Sequence, residues 1–148
     1  MTPGIPTKDT YFVAVKVFLV KDGKLLILKD RFGDWDLPGG RIRKNEFATP
    51  IQDIIRRKMS EELGEKITYG VEKEPIVLMR HERIEATLGN QTVRIFAVGY
   101  AAQHKSGEVK LSEMHTEMKW VDLGTFKPED YFTGGWLKGV QEYLAKTS

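Results

Sequence analysis

Apolar and polar residues follow the pattern of a β-hairpin near the start of the chain. Residues Tyr11–Val20 are mainly β-branched and aromatic, which predicts a strand. Asp22-Gly23 stands at the centre of the next four residues and is typical of a two-residue hairpin turn. Leu25–Lys29 is then predicted to be the second strand of the hairpin.

After residue 64 the pattern predicts further strands and a closing helix. The predicted strands are Ile67–Tyr69, Pro75–Glu85, Thr92–Ala102 and Met118–Val121. Residues Asp130–Lys146 carry apolar side chains at helical spacing, which predicts an amphipathic helix. These elements indicate a mixed sheet with about two helices, an α+β fold, in a single domain over residues 1–148.

Residues 33–64 lie between these two regions and hold the most distinctive pattern. Trp35 and Leu37 alternate with acidic residues, as on a half-buried strand, and Pro38-Gly39-Gly40 ends that strand. A helix is predicted to begin with Thr49 as N-cap and Pro50 at the first helical position. Leu63-Gly64 is predicted to end it.

Two adjacent glutamates close this helix. Its apolar stripe is formed by Ile51, Ile54, Ile55, Met59 and Leu63, and Glu62 falls inside that stripe while Glu61 lies on its edge. A carboxylate facing a core is costly unless a cation or hydrogen bonds compensate it. Spacing alone leaves two interpretations: a metal ion over Glu61 and Glu62, or a structural i, i+4 ion pair between Lys58 and Glu62.

Composition excludes several classes of protein and site. The 148 residues include no cysteine, so disulfides, thiolate metal sites and a cysteine nucleophile are excluded. A net charge of +2 argues against nucleic acid or a membrane surface as partner, and no apolar run is long enough to cross a bilayer. Residues 1–10 form an irregular lead-in that lacks the pattern of a secretion signal, so a cytoplasmic location is expected.

The order of residues from 35 to 64 resembles the signature of the Nudix hydrolase superfamily. Gly40 is followed after five residues by Glu46, and Arg57, Met59, Glu61, Glu62 and Gly64 match the second half of the signature. The resemblance implies a Nudix-type α/β/α sandwich with a mixed central sheet. It also implies a hydrolase of pyrophosphohydrolase type that cleaves a nucleoside diphosphate linked to another moiety.

Three residues or spacings depart from that signature. Ten residues separate Glu46 from Arg57 where seven are usual, and Thr49-Pro50 places the extra residues largely before the helix. Lys58 stands where the family usually has a glutamate, and Glu65 replaces an aliphatic residue. Arg56 is an alternative to Arg57 if the helix register differs by one residue.

The resemblance also implies a metal cofactor and its ligands. Diphosphate oxygens require a hard divalent ion, here Mg²⁺ with Mn²⁺ as a substitute, and such ions prefer oxygen ligands. Glu61, Glu62 and the carbonyl of Gly39 are the expected ligands. Arg57 is expected to orient the carboxylates through Glu46, and both residues are assigned to the catalytic set.

Because Lys58 is not a carboxylate, the general base is expected outside the helix. Glu113, His115 and Glu117 precede Trp120 in a predicted loop that leads into a strand. His115 suits general-base chemistry at neutral pH, and Glu117 or Glu113 is the alternative. GDP-mannose mannosyl hydrolases are similar in GGRIRKNE and in a histidine five residues before the tryptophan, but the sequence does not establish cleavage at sugar carbon.

Substrate contacts and partners are less specific in the sequence. Arg31, Arg41 and Arg80 are candidate phosphate-binding residues, since guanidinium groups bind phosphate in a bidentate manner. The expected partner is a small nucleoside diphosphate derivative, such as a nucleotide sugar or a nucleoside triphosphate, and a homodimer is consistent with the family. The alternative function is a nucleotide-binding or regulatory Nudix-fold module with little catalysis, suggested by Lys58.

Overall fold

A computed structural model describes residues 7–148. Its strands are β1 (Phe12–Lys21), β2 (Lys24–Asp30), β3 (Trp35–Asp36), β4 (Gly39–Arg41), β5 (Thr68–Val71), β6 (Val77–Glu85), β7 (Gln91–Ser106) and β8 (His115–Asp122). Its α-helices are α1 (Ile51–Leu63) and α2 (Gly134–Thr147). Short 3₁₀ helices cover Lys44–Glu46, Ala86–Leu88 and Pro128–Asp130. The predicted lead-in over residues 1–10 lies partly outside the described residues.

The eight strands form one mixed sheet. The main order is β3-β2-β1-β7-β5, with β4 beside β1, β6 beside β7, and β8 beside β2. β1 and β7 are parallel, from Phe12 opposite Ile95 to Val20 opposite Gln103, whereas all other pairs are antiparallel. The hairpin turn forms as predicted, because Asp22 and Gly23 adopt the positive φ angles of 51° and 75° that such a turn requires.

The two helices lie on opposite faces of the sheet. Alternate residues of β1 separate the two cores: Ala14 and Phe18 pack with α2, whereas Val15, Val17 and Leu19 pack with α1. Phe18 stacks on Tyr143 of α2 with ring centroids 4.2 Å apart. The expected α/β/α sandwich with a mixed central sheet is therefore confirmed.

The start of α1 differs from the prediction by one residue. Helix α1 begins at Ile51 with Pro50 as N-cap, and no side chain caps it. Thr49 is not the N-cap, because the carbonyl of Pro50 accepts the first helical hydrogen bonds, from the N–H groups of Asp53 and Ile54. The end is as predicted, since Gly64 has a φ of 84° and its N–H donates to the Ser60 carbonyl.

Strand β8 is longer than predicted and begins at His115 rather than Met118. The extension forms because β8 pairs with the full length of β2, and Asp30 lies opposite His115. His115 and Glu117 are therefore strand residues, and of the predicted loop residues only Glu113 stays in the loop. Within residues 7–148, neither helix has the length and apolar character needed to cross a membrane.

Candidate active site

The glycine turn before β4 is joined to the end of α1. The N–H of Gly39 donates a hydrogen bond of 2.8 Å to Oε1 of Glu62. Gly39 has a φ of 138°, and its Cα lies against the carbonyl of Val15, so a Cβ at this position would overlap the β1 backbone. Only glycine suits this conformation and this approach.

Glu46 and Arg57 form a bidentate ion pair beside the helix end. Nε and one terminal nitrogen of Arg57 lie 2.6 and 2.7 Å from the two carboxylate oxygens of Glu46. The N–H of Arg43 also donates to Glu46, at 2.9 Å. These contacts hold the pKa of Glu46 below its usual value, with Arg57 as the main cause. Arg56 is exposed, so Arg57 occupies the arginine position of the motif.

Glu61 is bound by two arginines. Arg57 reaches both oxygens of Glu61 at 3.1 and 3.2 Å, and Arg43 donates to Oε1 at 2.9 Å. Partial burial acts to raise the pKa of Glu61, but Arg57, Lys58 and Arg43 outweigh it and lower that pKa. Arg57 therefore links Glu46 to Glu61, and the extra residues between Glu46 and Arg57 are accommodated before α1.

Glu62 is the more buried of the two helix-end carboxylates. Its side chain is 14% exposed, and burial raises its pKa against the opposing influence of Lys16 and the Gly39 N–H. Among the described residues, its second oxygen, Oε2, makes only long polar contacts, 3.9 Å to Lys58 Nζ and 4.0 Å to His115 Nε2. Lys58 also lies 3.6 Å from Glu61 Oε2, so the predicted Lys58–Glu62 pair forms only as part of a three-residue cluster.

His115 approaches Glu62 from the other side. Its Nδ1 lies 3.2 Å from the hydroxyl oxygen of Ser112, and its Nε2 faces Glu62. The segment before β8 is fixed to the helix end, because the N–H groups of Lys110 and Ser112 donate to the carbonyls of Leu63 and Glu62. The loop backbone therefore sets the position of the imidazole relative to the carboxylate.

The other two candidate bases do not reach this cluster. Within residues 7–148, the carboxylates of Glu113 and Glu117 make no hydrogen bond or ion pair, and both side chains are exposed. Glu117 lies on β8 opposite Lys29 of β2. Among the three predicted candidates, His115 alone lies beside the helix-end glutamates.

The three candidate substrate arginines lie in different environments. Arg41 forms an ion pair with Glu85 and lies over the ring of Phe12 at 4.7 Å. Arg31 is exposed in the loop after β2 and contacts the sulfur of Met114, near the segment that carries His115. Arg80 is exposed on β6 and lines a separate cavity with Lys138 and Arg94. The structure therefore does not gather the three side chains into one phosphate site.

Lys16, which is buried, and Asp36, which is partly buried, form an ion pair that the sequence alone does not reveal. Lys16 Nζ lies 2.9 and 3.0 Å from the two oxygens of Asp36 and 5.1 Å from the centre of the Trp136 ring. The position of this lysine in the middle of the apolar strand FVAVKVFLV was the sequence signal that could have indicated a charged partner. Its partner was not predictable, because β3 meets β1 only through the folded sheet.

A cavity of about 340 Å³ lies beside this ion pair, on the α2 face of the sheet. Asp36 lines it together with the aromatic side chains of Trp35, Tyr131 and Trp136 and the ring of His81. Trp35 and Tyr131 meet edge to face at 5.5 Å, and His81 stacks on Trp136 at 4.5 Å. Trp136 and Phe132 are buried, as expected for aromatic residues at helical spacing.

Oxygen atoms at the end of α1 are the candidate ligands for a divalent ion. In the described part of the chain, no group of three or more histidine, aspartate and glutamate side chains is arranged to hold a metal. Glu61 and Glu62 nevertheless provide adjacent oxygen ligands of the kind that Mg²⁺ prefers. Within residues 7–148, Oε2 of Glu62 makes no hydrogen bond and only the long contacts to Lys58 and His115, so this oxygen is able to accept a further ligand. The residues therefore fit a cation held by two carboxylates and backbone or water oxygens.

Solved structures share this architecture over nearly the whole chain. A MutT Nudix hydrolase from Burkholderia pseudomallei superposes with a TM-score of 0.65 and 22% identity, over 95% of this chain and 100% of that chain. The MutT protein from Methanosarcina mazei Go1 gives a TM-score of 0.67 and 22% identity, over 92% and 91% of the two chains. An ADP-ribose pyrophosphatase from Streptococcus suis gives 0.65 and 16%, over 94% of each.

No family model and no curated protein matches the sequence. The structural likeness nevertheless shows that the chain has the Nudix fold, as the resemblance of residues 35–64 implied. Because the sequence identities are 22% or lower, the similarity establishes a shared fold and does not establish a shared activity.

Proposed function

We propose that this protein is a Nudix-type hydrolase that cleaves the diphosphate linkage of a nucleoside diphosphate joined to another moiety. The proposal is carried by one observation. On the Nudix fold, Arg57 contacts both Glu46 and Glu61, Lys58 lies within 4 Å of Glu61 and Glu62, and the Gly39 N–H joins Glu62 to the glycine turn. This group combines residues from the glycine turn, the loop before α1 and the end of α1. An ordinary surface ion pair involves only two side chains and does not bring three segments together.

Glu61, Glu62 and the carbonyl of Gly39 would hold Mg²⁺, with Mn²⁺ as a substitute. When bound, the ion would neutralise charge on the diphosphate oxygens and polarise the phosphorus toward water. Arg57 would act as a positioning residue, because it contacts Glu46 and Glu61 together and fixes the orientation of the ligand carboxylate.

His115 is the proposed general base. If the imidazole donates its Nδ1 proton to the Ser112 hydroxyl oxygen, Nε2 is the nitrogen free to accept a proton from the attacking water. Nε2 lies on the side of Glu62, where the reacting phosphate would be held. Ser112 would thus select the tautomer, and Glu117 has no contact that supports the same role.

The rest of the substrate would occupy the cavity beside Asp36, which is linked to the helix-end glutamates through Lys16, because this ammonium pairs with Asp36 and acts electrostatically on Glu62. Trp35 and Tyr131 give this cavity flat apolar surfaces suited to an aromatic or sugar ring. Arg31 is the best placed of the three candidate arginines to meet a phosphate, because it is exposed and close to the segment that carries His115. Arg41 and Arg80 remain weaker candidates. The cytoplasmic location, the single domain and the homodimer remain predictions.

Hydrolysis can be tested with a panel of substrates. The purified protein would be incubated with nucleoside triphosphates, nucleotide sugars, ADP-ribose and dinucleotides, each with Mg²⁺ and with Mn²⁺. We expect metal-dependent turnover of at least one class, and ¹⁸O-labelled water would show whether oxygen enters the phosphate or the sugar product. An absence of turnover throughout, beside an active Nudix enzyme as positive control, would contradict the proposal.

The roles of the two helix-end glutamates can be tested on the substrate identified. Glu61→Gln and Glu62→Gln are each expected to lower kcat by about 100-fold or more, because a neutral amide is a poor ligand for Mg²⁺. Glu65→Gln is the matched control, since Glu65 is exposed and its side chain hydrogen-bonds only to Ser60 within residues 7–148. Full activity in the Glu61→Gln, Glu62→Gln double variant would refute the assignment.

A second function is favoured by the position of Lys58. Its ammonium lies within 4 Å of both helix-end carboxylates, where it compensates their charge without a metal. This arrangement suits a nucleotide-binding module with little catalysis. Such a module would be stabilised against heat by a nucleotide to the same extent with Mg²⁺ and with EDTA, whereas strong metal-dependent hydrolysis would exclude it.

A further inference from the structure

Lys58 is confined between the end of α1 and the glycine turn. Its Nζ lies 3.6 Å from Glu61 Oε2 and 3.9 Å from Glu62 Oε2, and its side chain is 19% exposed. The end of the same side chain lies directly against Gly40, where an added Cβ would overlap Lys58 Cε. The ammonium therefore occupies the space bounded by Glu61, Glu62 and Gly40.

The charges around this space are balanced without a metal ion. The group contains four carboxylates and four cations, leaving His115 aside: Asp36, Glu46, Glu61 and Glu62 against Lys16, Arg43, Arg57 and Lys58. A divalent ion added to this group would give it an excess of positive charge. Removing the Lys58 charge would leave one carboxylate in excess.

A divalent ion and the Lys58 ammonium would compete for the same oxygens. Mg²⁺ binds carboxylate oxygen at about 2.1 Å, and an ion on Oε2 of both glutamates would fall in the region that Lys58 Nζ now occupies. Two cations this close repel each other strongly in a partly buried site. Simultaneous occupation is therefore unfavourable.

We propose that Lys58 acts as an internal cation that closes the metal position in the ligand-free protein. A divalent ion binds tightly only after the Lys58 ammonium leaves Glu61 and Glu62, and a phosphate of the substrate is the group of suitable charge to receive it. Metal and diphosphate would consequently favour each other's binding. This inference rests on the proposed use of Glu61 and Glu62 as metal ligands.

The test measures Mn²⁺ binding to the full chain without nucleotide, by electron paramagnetic resonance of free Mn²⁺. Lys58→Met is expected to lower the Kd for Mn²⁺ by about tenfold or more, since it removes one repelling charge about 4 Å away. Lys58→Glu should lower the Kd further, and Lys58→Arg should leave it near that of the unmodified protein. Lys73→Met is the matched control, because Lys73 is exposed and has no hydrogen bond or ion pair in the described part of the chain.

The series separates charge from packing. If Lys58 merely fills space, the Kd would not follow the order glutamate, methionine, arginine, and equal Kd values for Lys58→Met and the unmodified protein would overturn the inference. Thermal melts of each variant confirm folding, and Lys58→Gln replaces Lys58→Met if the latter does not fold.

Failure of the inference can be distinguished from failure of the proposed function. Mn²⁺ binding that is tight and independent of Lys58 would refute the inference while leaving hydrolysis intact. An absence of Mn²⁺ binding in every variant, Lys58→Glu included, would refute Glu61 and Glu62 as metal ligands and the inference with them. The charge-ordered Kd series without turnover of any substrate would support the inference and contradict the hydrolase.

Discussion

Arg57 is the residue on which the geometry of the site depends most directly. It donates to both oxygens of Glu46 and to both oxygens of Glu61, and so joins the loop before α1 to the last turn of that helix. A lysine could not make the same contacts, because a single ammonium lacks the planar fork of a guanidinium. The neighbouring Arg56, one residue earlier, points to solvent instead.

Substitution of Arg57 is expected to impair catalysis more than binding. Arg57→Ala should lower kcat by about 10- to 100-fold with a smaller change in KM, because it removes one of the two arginines that orient Glu61 without removing a substrate contact. Arg57→Lys should restore only part of the loss. Steady-state kinetics beside the matched Arg56→Ala control would check this. Equal effects of the two alanine substitutions would contradict a positioning role.

Residue-level prediction from sequence succeeded where the residues lie in one segment. The spacing of Glu46, Arg57 and Glu61 indicated that these side chains converge, and Arg57 contacts both carboxylates, while their roles stay predictions. The contribution of Lys16, Asp36 and Ser112 was not predictable. Each reaches the site from a strand or loop whose neighbours are fixed only by the complete sheet.

At the level of elements, structure that depends on local sequence was predictable, whereas structure that depends on distant strands was not. The Asp22-Gly23 turn and the apolar spacing of α2 are local signals, and both elements form close to where they were predicted. The ends of β7 and β8 were not predicted, because partner strands set them. β7 continues to Ser106 since it pairs with Thr68 of β5 after it leaves β6, and β8 begins early since it follows β2.

Helix α2 is held against β6 by a contact that depends on protonation. Nδ1 of His81 accepts a 3.1 Å hydrogen bond from the Gly135 N–H at the start of α2, and its ring stacks on Trp136. Burial lowers the pKa of His81, and Lys16 and Arg83 act in the same direction, while Asp36 and Asp34 oppose them. A protonated Nδ1 could no longer accept the Gly135 hydrogen bond.

The stability of the protein should therefore fall in mild acid through His81. With a lowered pKa in the folded state, the unfolded chain binds the proton first, so the contribution is complete above about pH 6.5 and is lost progressively below it. Urea unfolding at pH 7.5 and 5.5 would measure this. In His81→Gln, which accepts a hydrogen bond but does not titrate, the decrease between the two pH values should be smaller. An identical decrease in both proteins would contradict the prediction.

At the scale of the whole molecule, the sheet is completed by segments far apart in the chain. β1 lies at its centre and pairs in parallel with β7, while β2 contacts it mainly at the hairpin end. The buried face that supports α1 and the face that supports α2 both include β1 residues. Neither core can be complete before the β1–β7 pair has formed.

Refolding should accordingly be slow for a chain of this size. Pairing of strands that are distant in the sequence costs loop-closure entropy before any favourable contact forms. Folding times of such proteins are therefore about milliseconds to seconds. Stopped-flow fluorescence after dilution from urea would follow the burial of Trp35, Trp120 and Trp136 together. Complete recovery of the native signal within microseconds would contradict a rate limited by the β1–β7 pair.

The parallel pairing of β1 and β7 also has a consequence during synthesis on the ribosome. The apolar strand FVAVKVFLVK is synthesised well before its parallel partner β7, which ends at Ser106. Until that point the central strand has an open edge that can pair with other nascent chains. Lys16 lies in the middle of this strand, and its charge would discourage such pairing before Asp36 and the finished sheet bury it.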